Sequence, residues 1–161
     1  MPVRSLTPDP AALSLTIVSE HTATSEAAWA LWADPALLGG WWGPPGYPCT
    51  VDHHELAAGG RVAYHMTGPD GTEYPGWWRV LEVESPHRLV LEDGFTGTDG
   101  EPDPDMPVST MTVTLTDTAD GVEMRLVSTF PDRAAMDRLI EMGMLEGMQA
   151  ALSQIDALLT D

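Results

Sequence analysis

From Cys49 to Phe130 the chain is a run of β-forming segments separated by turn signals at hairpin spacing, and a proline-free stretch from Arg133 to Leu159 follows it. Repeated hairpins build an antiparallel meander, and a meander with one apolar face needs a second layer to cover that face. Six strands are predicted at Cys49–Leu56, Arg61–Thr67, Tyr74–Glu84, His87–Phe95, Val108–Asp117 and Val122–Phe130. Their connectors, Ala57-Ala58-Gly59-Gly60, Gly68-Pro69-Asp70-Gly71, Ser85-Pro86 and Ala119-Asp120-Gly121, carry ordinary turn chemistry. The covering layer is expected from the last stretch, where Met136, Leu139, Ile140, Gly143, Gly147, Ala151, Ile155 and Leu158 recur at steps of three or four. Read as one helix started by Asp132, that stretch would be about 40 Å long, enough to cross the sheet.

Ahead of the meander, Leu13, Leu15 and Ile17 alternate with Ser14, Thr16 and Val18, the period-two pattern of a half-buried strand. Thr24 then caps a short helix through Ala27, Trp29 and Trp32 that Asp34-Pro35 stops, and Ala36 to Trp42 supplies a further turn. The prediction is therefore an α+β chain, a seven-stranded antiparallel sheet wrapped around a long C-terminal helix, with two short helices after the first strand. Residues 1–12, with three prolines and no apolar period, are expected to be a flexible N-terminal tail, and residues 13–160 a single domain.

Charge narrows the partners. Twenty-five acidic residues face seven arginines and no lysine, a net charge of −18 that repels nucleic acid and anionic membranes. A lone cysteine, Cys49, makes no internal disulfide, no N-terminal leader pattern is visible, and the expected compartment is the cytoplasm. The absence of Lys and Asn, whose codons are AT-rich, is the composition expected of a GC-rich bacterial genome.

The order of elements resembles the START and birch-pollen-allergen (SRPBCC) superfamily of helix-grip domains. The local motifs narrow this. Asp34-Pro35-Ala36-Leu37-Leu38, Trp41-Trp42-Gly43-Pro44-Pro45-Gly46, Gly59-Gly60-Arg61, Gly68-Pro69-Asp70-Gly71, Pro86-His87-Arg88-Leu89 and Met142-Gly143-Met144-Leu145-Glu146-Gly147 together resemble the activator of heat shock protein 90 ATPase homologue family. Against that family's pattern, Trp78 stands where a small residue is common and Met148 where an aromatic is. The resemblance implies an apolar cavity between sheet and helix, and two roles: holding a hydrophobic or aromatic small molecule, or docking a chaperone, another protein partner or a second copy of the chain.

The candidate ligand-binding residues follow from the aromatic and sulfur side chains expected on the inner face. They are Trp41, Trp42 and Tyr64, then Met66, Trp78 and Phe95, then Met111 and Met124, and on the helix Gly143, Met144, Gly147 and Met148. Methionines reshape around apolar guests, and the same residues equally suit a solid core. The two glycines are expected on the helix face that meets the sheet, where missing side chains leave room.

Metal and cofactor signals are weak. In a strand His53 and Glu55 share a face while His54 points away, and two ligands make no site. Asp99, Glu101, Asp103 and Asp105 alternate in a loop lacking the glycine and terminal glutamate of a calcium loop. No cofactor is expected, and no nucleophile elbow, phosphate loop or dinucleotide fingerprint is present. The remaining catalytic option is acid/base work by Asp93, Glu82 or His65 inside the cavity, as in a cyclase or hydrolase.

Overall fold

The computed structural model describes residues 3–159. Eight antiparallel strands form one sheet in the order β1-β2-β8-β7-β6-β5-β4-β3: β1 Val3–Asp9, β2 Ser14–His21, β3 Cys49–His54, β4 Arg61–Thr67, β5 Glu73–Glu84, β6 Arg88–Phe95, β7 Ser109–Thr118 and β8 Gly121–Thr129. The six strands of the meander lie within two residues of their expected bounds.

The first correction is the extra strand. Residues expected as a flexible tail form β1, which pairs with β2 from Val3↔Ser19 to Asp9↔Ser14, so the sheet has eight strands and not seven. Prolines misled the sequence reading: Pro8 lies on an edge strand, where a missing N–H costs no ladder bond. A turn at Pro10–Ala12, capped by the Asp9 carboxylate accepting from Ala12 N, closes the hairpin. Residues 1–2 of the expected tail lie outside the described residues.

Helix α1 (Ser25–Ala33) starts where Thr24 Oγ1 accepts from Ala27 N at 3.1 Å, and α2 (Pro35–Trp41) where Asp34 Oδ1 accepts from Ala36 N at 2.9 Å. Both lay apolar side chains on the core: Leu31, Trp32, Leu38 and Trp41 are fully buried in the same cluster as Val62, Trp78 and Val80 of the sheet, with the Trp32 and Trp78 rings in contact.

The second correction concerns the long helix. Asp132 caps it as expected, but the stretch divides into α3 (Arg133–Glu141), α4 (Met144–Leu152) and α5 (Ile155–Leu159). Gly143 adopts φ +93°, a left-handed conformation that ends α3 and begins α4, so it is a breaker and not a space-making helix residue. The bends let Met136, Leu139, Ala151, Leu152 and Ile155 all reach the core, which one straight rod could not do against a curved sheet. The Gln154 side-chain amide donates to the carbonyls of Trp41 (3.2 Å) and Gly43 (2.7 Å), pinning the third segment to the end of α2.

The glycine roles separate on substitution. Gly143→Ala forces a side chain into the left-handed region and is expected to cost about 1 kcal/mol, or about 2–4 °C in Tm. Gly147 has ordinary helical backbone, and a Cβ there meets nothing within 4 Å, so Gly147→Ala should be neutral or stabilising by up to about 1 kcal/mol. Thermal melts of the two variants check both signs.

Candidate ligand-binding cavity

A cavity of about 510 Å³ opens between the β4–β7 half of the sheet and the α3–α4 bend. From the sheet come Tyr64 and Met66 of β4, Asp93 and Phe95 of β6 and Ser109 of β7. Alternation accounts for this: these residues occupy successive same-face positions of their strands. Tyr64 can lie across β5 because its cross-strand partner is Gly76, where a Cβ would come within 2.5 Å of the Tyr64 hydroxyl. The α2–β3 loop adds Trp42, Pro44 and Tyr47, and the helices add Leu139, Met142, Gly143, Met144, Gly147 and Met148.

The polar chemistry is concentrated at one end. Tyr64 Oη donates to Asp93 Oδ1 at 3.2 Å. Burial pushes the Asp93 carboxyl up to about 7, while the Tyr64 hydroxyl and the Trp78 indole act in the opposite direction by favouring the carboxylate. Burial, reinforced by Asp93, pushes the Tyr64 hydroxyl well above its ordinary value. The buried indole Nε1 atoms of Trp42 and Trp78 sit beside Tyr64 and Asp93 and influence them without closing a hydrogen bond of ordinary geometry among the described residues. Cys49 is inert as a nucleophile: burial and the nearby Asp52 charge push its thiol up to about 12.

The expected ligand-contacting residues divide into two groups. Trp42, Tyr64, Met66, Phe95, Gly143, Met144, Gly147 and Met148 line the cavity. Trp41, Trp78, Met111 and Met124 do not reach it and are no more than 2% exposed. Trp78, Met111 and Met124 have the inner-face parity but lie under α1 and α2, and Trp41 is the last residue of α2 itself; there Trp32 meets Trp41 at 4.8 Å between centroids and Trp78 meets Trp42 at 5.0 Å. Both tryptophans of the Trp41-Trp42 pair are buried.

Among the candidate acid/base residues, Asp93 alone faces the cavity. Glu82 is exposed and 3.7 Å from Arg88, and His65 bonds Asp52 at 2.8 Å on the opposite face of β4 from Tyr64 and Met66. Among the described residues no three His, Cys, Asp or Glu side chains converge to hold a metal ion. In the acidic loop, Asp99 and Asp103 carboxylates accept from the backbone N–H groups of Glu101 and Asp105.

Sequence reasoning missed the mouth. Tyr47, Tyr74 and Met142 line it and are 38%, 51% and 53% exposed, with the two tyrosine rings 6.1 Å apart. Tyr74 was legible as the residue two before Gly76 on the inner-face parity of β5; Tyr47 and Pro107 sit in loops that carry no periodic signal.

The family model described as activator of Hsp90 ATPase homolog 1-like protein matches residues 22–160. The chain belongs to that family. Among solved structures of similar proteins, the crystal structure of Ms6760 from Mycobacterium smegmatis shares 43% identity over 99% of this chain and 98% of its own, with a TM-score of 0.91. The solution structure of an Arthrobacter aurescens protein shares 44% identity over 98% and 92% of the two chains, with a TM-score of 0.94. The AHSA1 protein of Silicibacter pomeroyi, 22% identical over 91% and 96% with a TM-score of 0.74, shares the fold. Among curated proteins, none matches. The Hsp90 ATPase activator homologue assignment agrees with the α+β helix-grip arrangement described above, its helix divided into three. No helix among the described residues is long and apolar enough to cross a membrane.

Asp93 gives this family member a pH signature. A carboxyl whose folded value lies above its unfolded value of about 4 favours folding fully only below about pH 4, and that contribution is lost as pH rises through about 7. Asp93→Asn keeps an acceptor for Tyr64 and removes the charge. It is expected to melt higher than the wild type at about pH 8, by roughly 2 kcal/mol of stability, and to lose that advantage at about pH 4. Melts of both proteins across this range give the result directly.

Proposed function

We propose that this domain encloses a hydrophobic or aromatic small molecule between its sheet and the α3–α4 bend. The observation that carries the proposal is the cavity itself: about 510 Å³, within the range of small-molecule sites, with apolar and aromatic walls and a few polar groups gathered at one end. Its sulfur-rich helical wall, Met142, Met144 and Met148, suits guests of varied shape. The family's common domain supports the reading as architecture, and the cavity is the feature that favours ligand binding.

Exposed Tyr47, Tyr74 and Met142 favour a second reading, in which a protein partner covers the mouth, as the family's description of Hsp90 ATPase activation suggests. A defined partner bound by the wild type and lost on Tyr74→Arg supports that reading. A monomer that retains ligand affinity after Tyr74→Arg and binds no partner removes it.

The binding reading predicts that apolar aromatics raise Tm, by mass action, at concentrations above their Kd. Gly147→Phe should abolish that shift, because Gly147 lines the cavity and a Cβ there meets nothing within 4 Å, leaving the ring room to occupy the guest's space. An affinity loss of about tenfold or more with the unliganded Tm within a few degrees is expected. Unchanged binding by Gly147→Phe would place the ligand elsewhere.

A further inference from the structure

The cavity has a sign as well as a shape. Its lining contains one carboxylate, Asp93, and no Lys, Arg or His. A carboxylate withdrawn from water is costly unless something of opposite charge or several donors compensate it. Here the compensation is limited to the Tyr64 hydroxyl, which donates at 3.2 Å, and the adjacent Trp78 indole, and no cation is beside it in the lining. Five aromatic side chains surround the same space: Trp42, Tyr47, Tyr64, Tyr74 and Phe95. Aromatic faces carry negative potential and attract cations, most strongly where water is excluded.

The exterior repeats this sign. The net charge is −18, and exposed Glu73, Glu141 and Glu146 adjoin the lining residues Tyr74, Met142 and Gly147 in the chain. Arg138, the cation beside Leu139, is committed elsewhere, donating to Asp105 O at 2.8 Å and to Met106 Sδ at 3.1 Å. Such a field concentrates cations at the mouth and disfavours anions.

Resting on the binding reading above, we propose that the cavity takes a lipophilic amine, its ammonium seated against Asp93 and the aromatic faces, its apolar or aryl body filling the rest. A neutral guest of the same shape leaves the carboxylate uncompensated, and an anionic one adds repulsion.

The proposal fixes a pH dependence. Around Asp93 stand Tyr64 from β4, Trp78 and Ser109 directly across from it on β5 and β7, and Leu139, Met144 and Met148 on the helical wall. Tyr64 keeps its proton through neutral pH because burial and Asp93 push it up, and Cys49, whose charge acts on Tyr64, is pushed up to about 12. Asp93, pushed up to about 7, is therefore the group in this cluster that changes charge between about pH 5.5 and 8.5. An alkylamine, with a pKa of about 10 like that of Lys, remains protonated across the whole interval.

The test is calorimetric titration of the full chain with three probes of one shape: phenylbutylamine, phenylbutanol and phenylbutanoate. At about pH 8.5 the amine is expected to bind about tenfold or more tightly than the alcohol, with the anion weakest; at about pH 5.5 the amine preference shrinks towards unity. Asp93→Asn should abolish the preference and its pH dependence by weakening the amine at about pH 8.5, with the alcohol bound at least as tightly as by the wild type; an Asp93→Asn protein that keeps the amine preference would overturn the assignment. Saturable binding of amine and alcohol with equal affinity at about pH 8.5 would overturn the cation assignment and leave the cavity reading standing. Absence of binding by all three probes would overturn both.

Discussion

The structure depends first on an edge-to-face stack of tryptophans. Trp32 from α1, Trp41 and Trp42 from α2 and its end, and Trp78 from β5 lie with successive centroids 4.8, 5.5 and 5.0 Å apart. Aromatic pairs in this geometry add to the burial of large apolar areas, so this cluster anchors the two short helices to the sheet. It also divides the interior. Where α1 and α2 press on the sheet the core is solid, and beyond Trp42, which belongs to both regions, the sheet faces the bent C-terminal helices across open space. The cavity is what remains of the concave face once the tryptophans have filled the rest.

The bend at Gly143 completes that enclosure. A straight helix would meet a twisted sheet along a limited line; three segments follow its curvature and bring Leu139 of α3 and Met144 and Met148 of α4 to one wall. The closing turn is held by Gln154, which reaches back to the Trp41 and Gly43 carbonyls and so ties the end of the helical layer to the tryptophan stack. Asp93 stands opposite this wall. Keeping a carboxylate there lowers stability at neutral pH, a cost of the kind proteins retain at working sites.

How much of this was legible in the sequence depended on whether the signal was local. Period-two alternation placed the strands and put Tyr64, Met66 and Phe95 on the inner face, and Thr24, Asp34 and Asp132 marked three helix starts. Parity could not say which part of the inner face lies under α1 and α2, so Trp78, Met111 and Met124 were indistinguishable from cavity residues until packing was known. The Gly143 break was hidden because the three-and-four spacing of apolar residues continues across it, and β1 because prolines are tolerated at a sheet edge. Buried Ser19 and His21 escaped notice for a similar reason. They sit on the inner face of β2 and pair with each other and, through His21 Nδ1 at 2.9 Å, with Asp156 more than a hundred residues away.

The central claim, that an apolar guest occupies the space between the tryptophan stack and the helix bend, can be read from the methionines themselves. With methyl-labelled methionine, NMR titration with a saturating apolar aromatic should shift the signals of Met66, Met142, Met144 and Met148, which line the cavity, and leave those of the core residues Met111, Met124 and Met136 nearly unmoved. Shifts confined to the core methionines, or none at all at saturation, would contradict it.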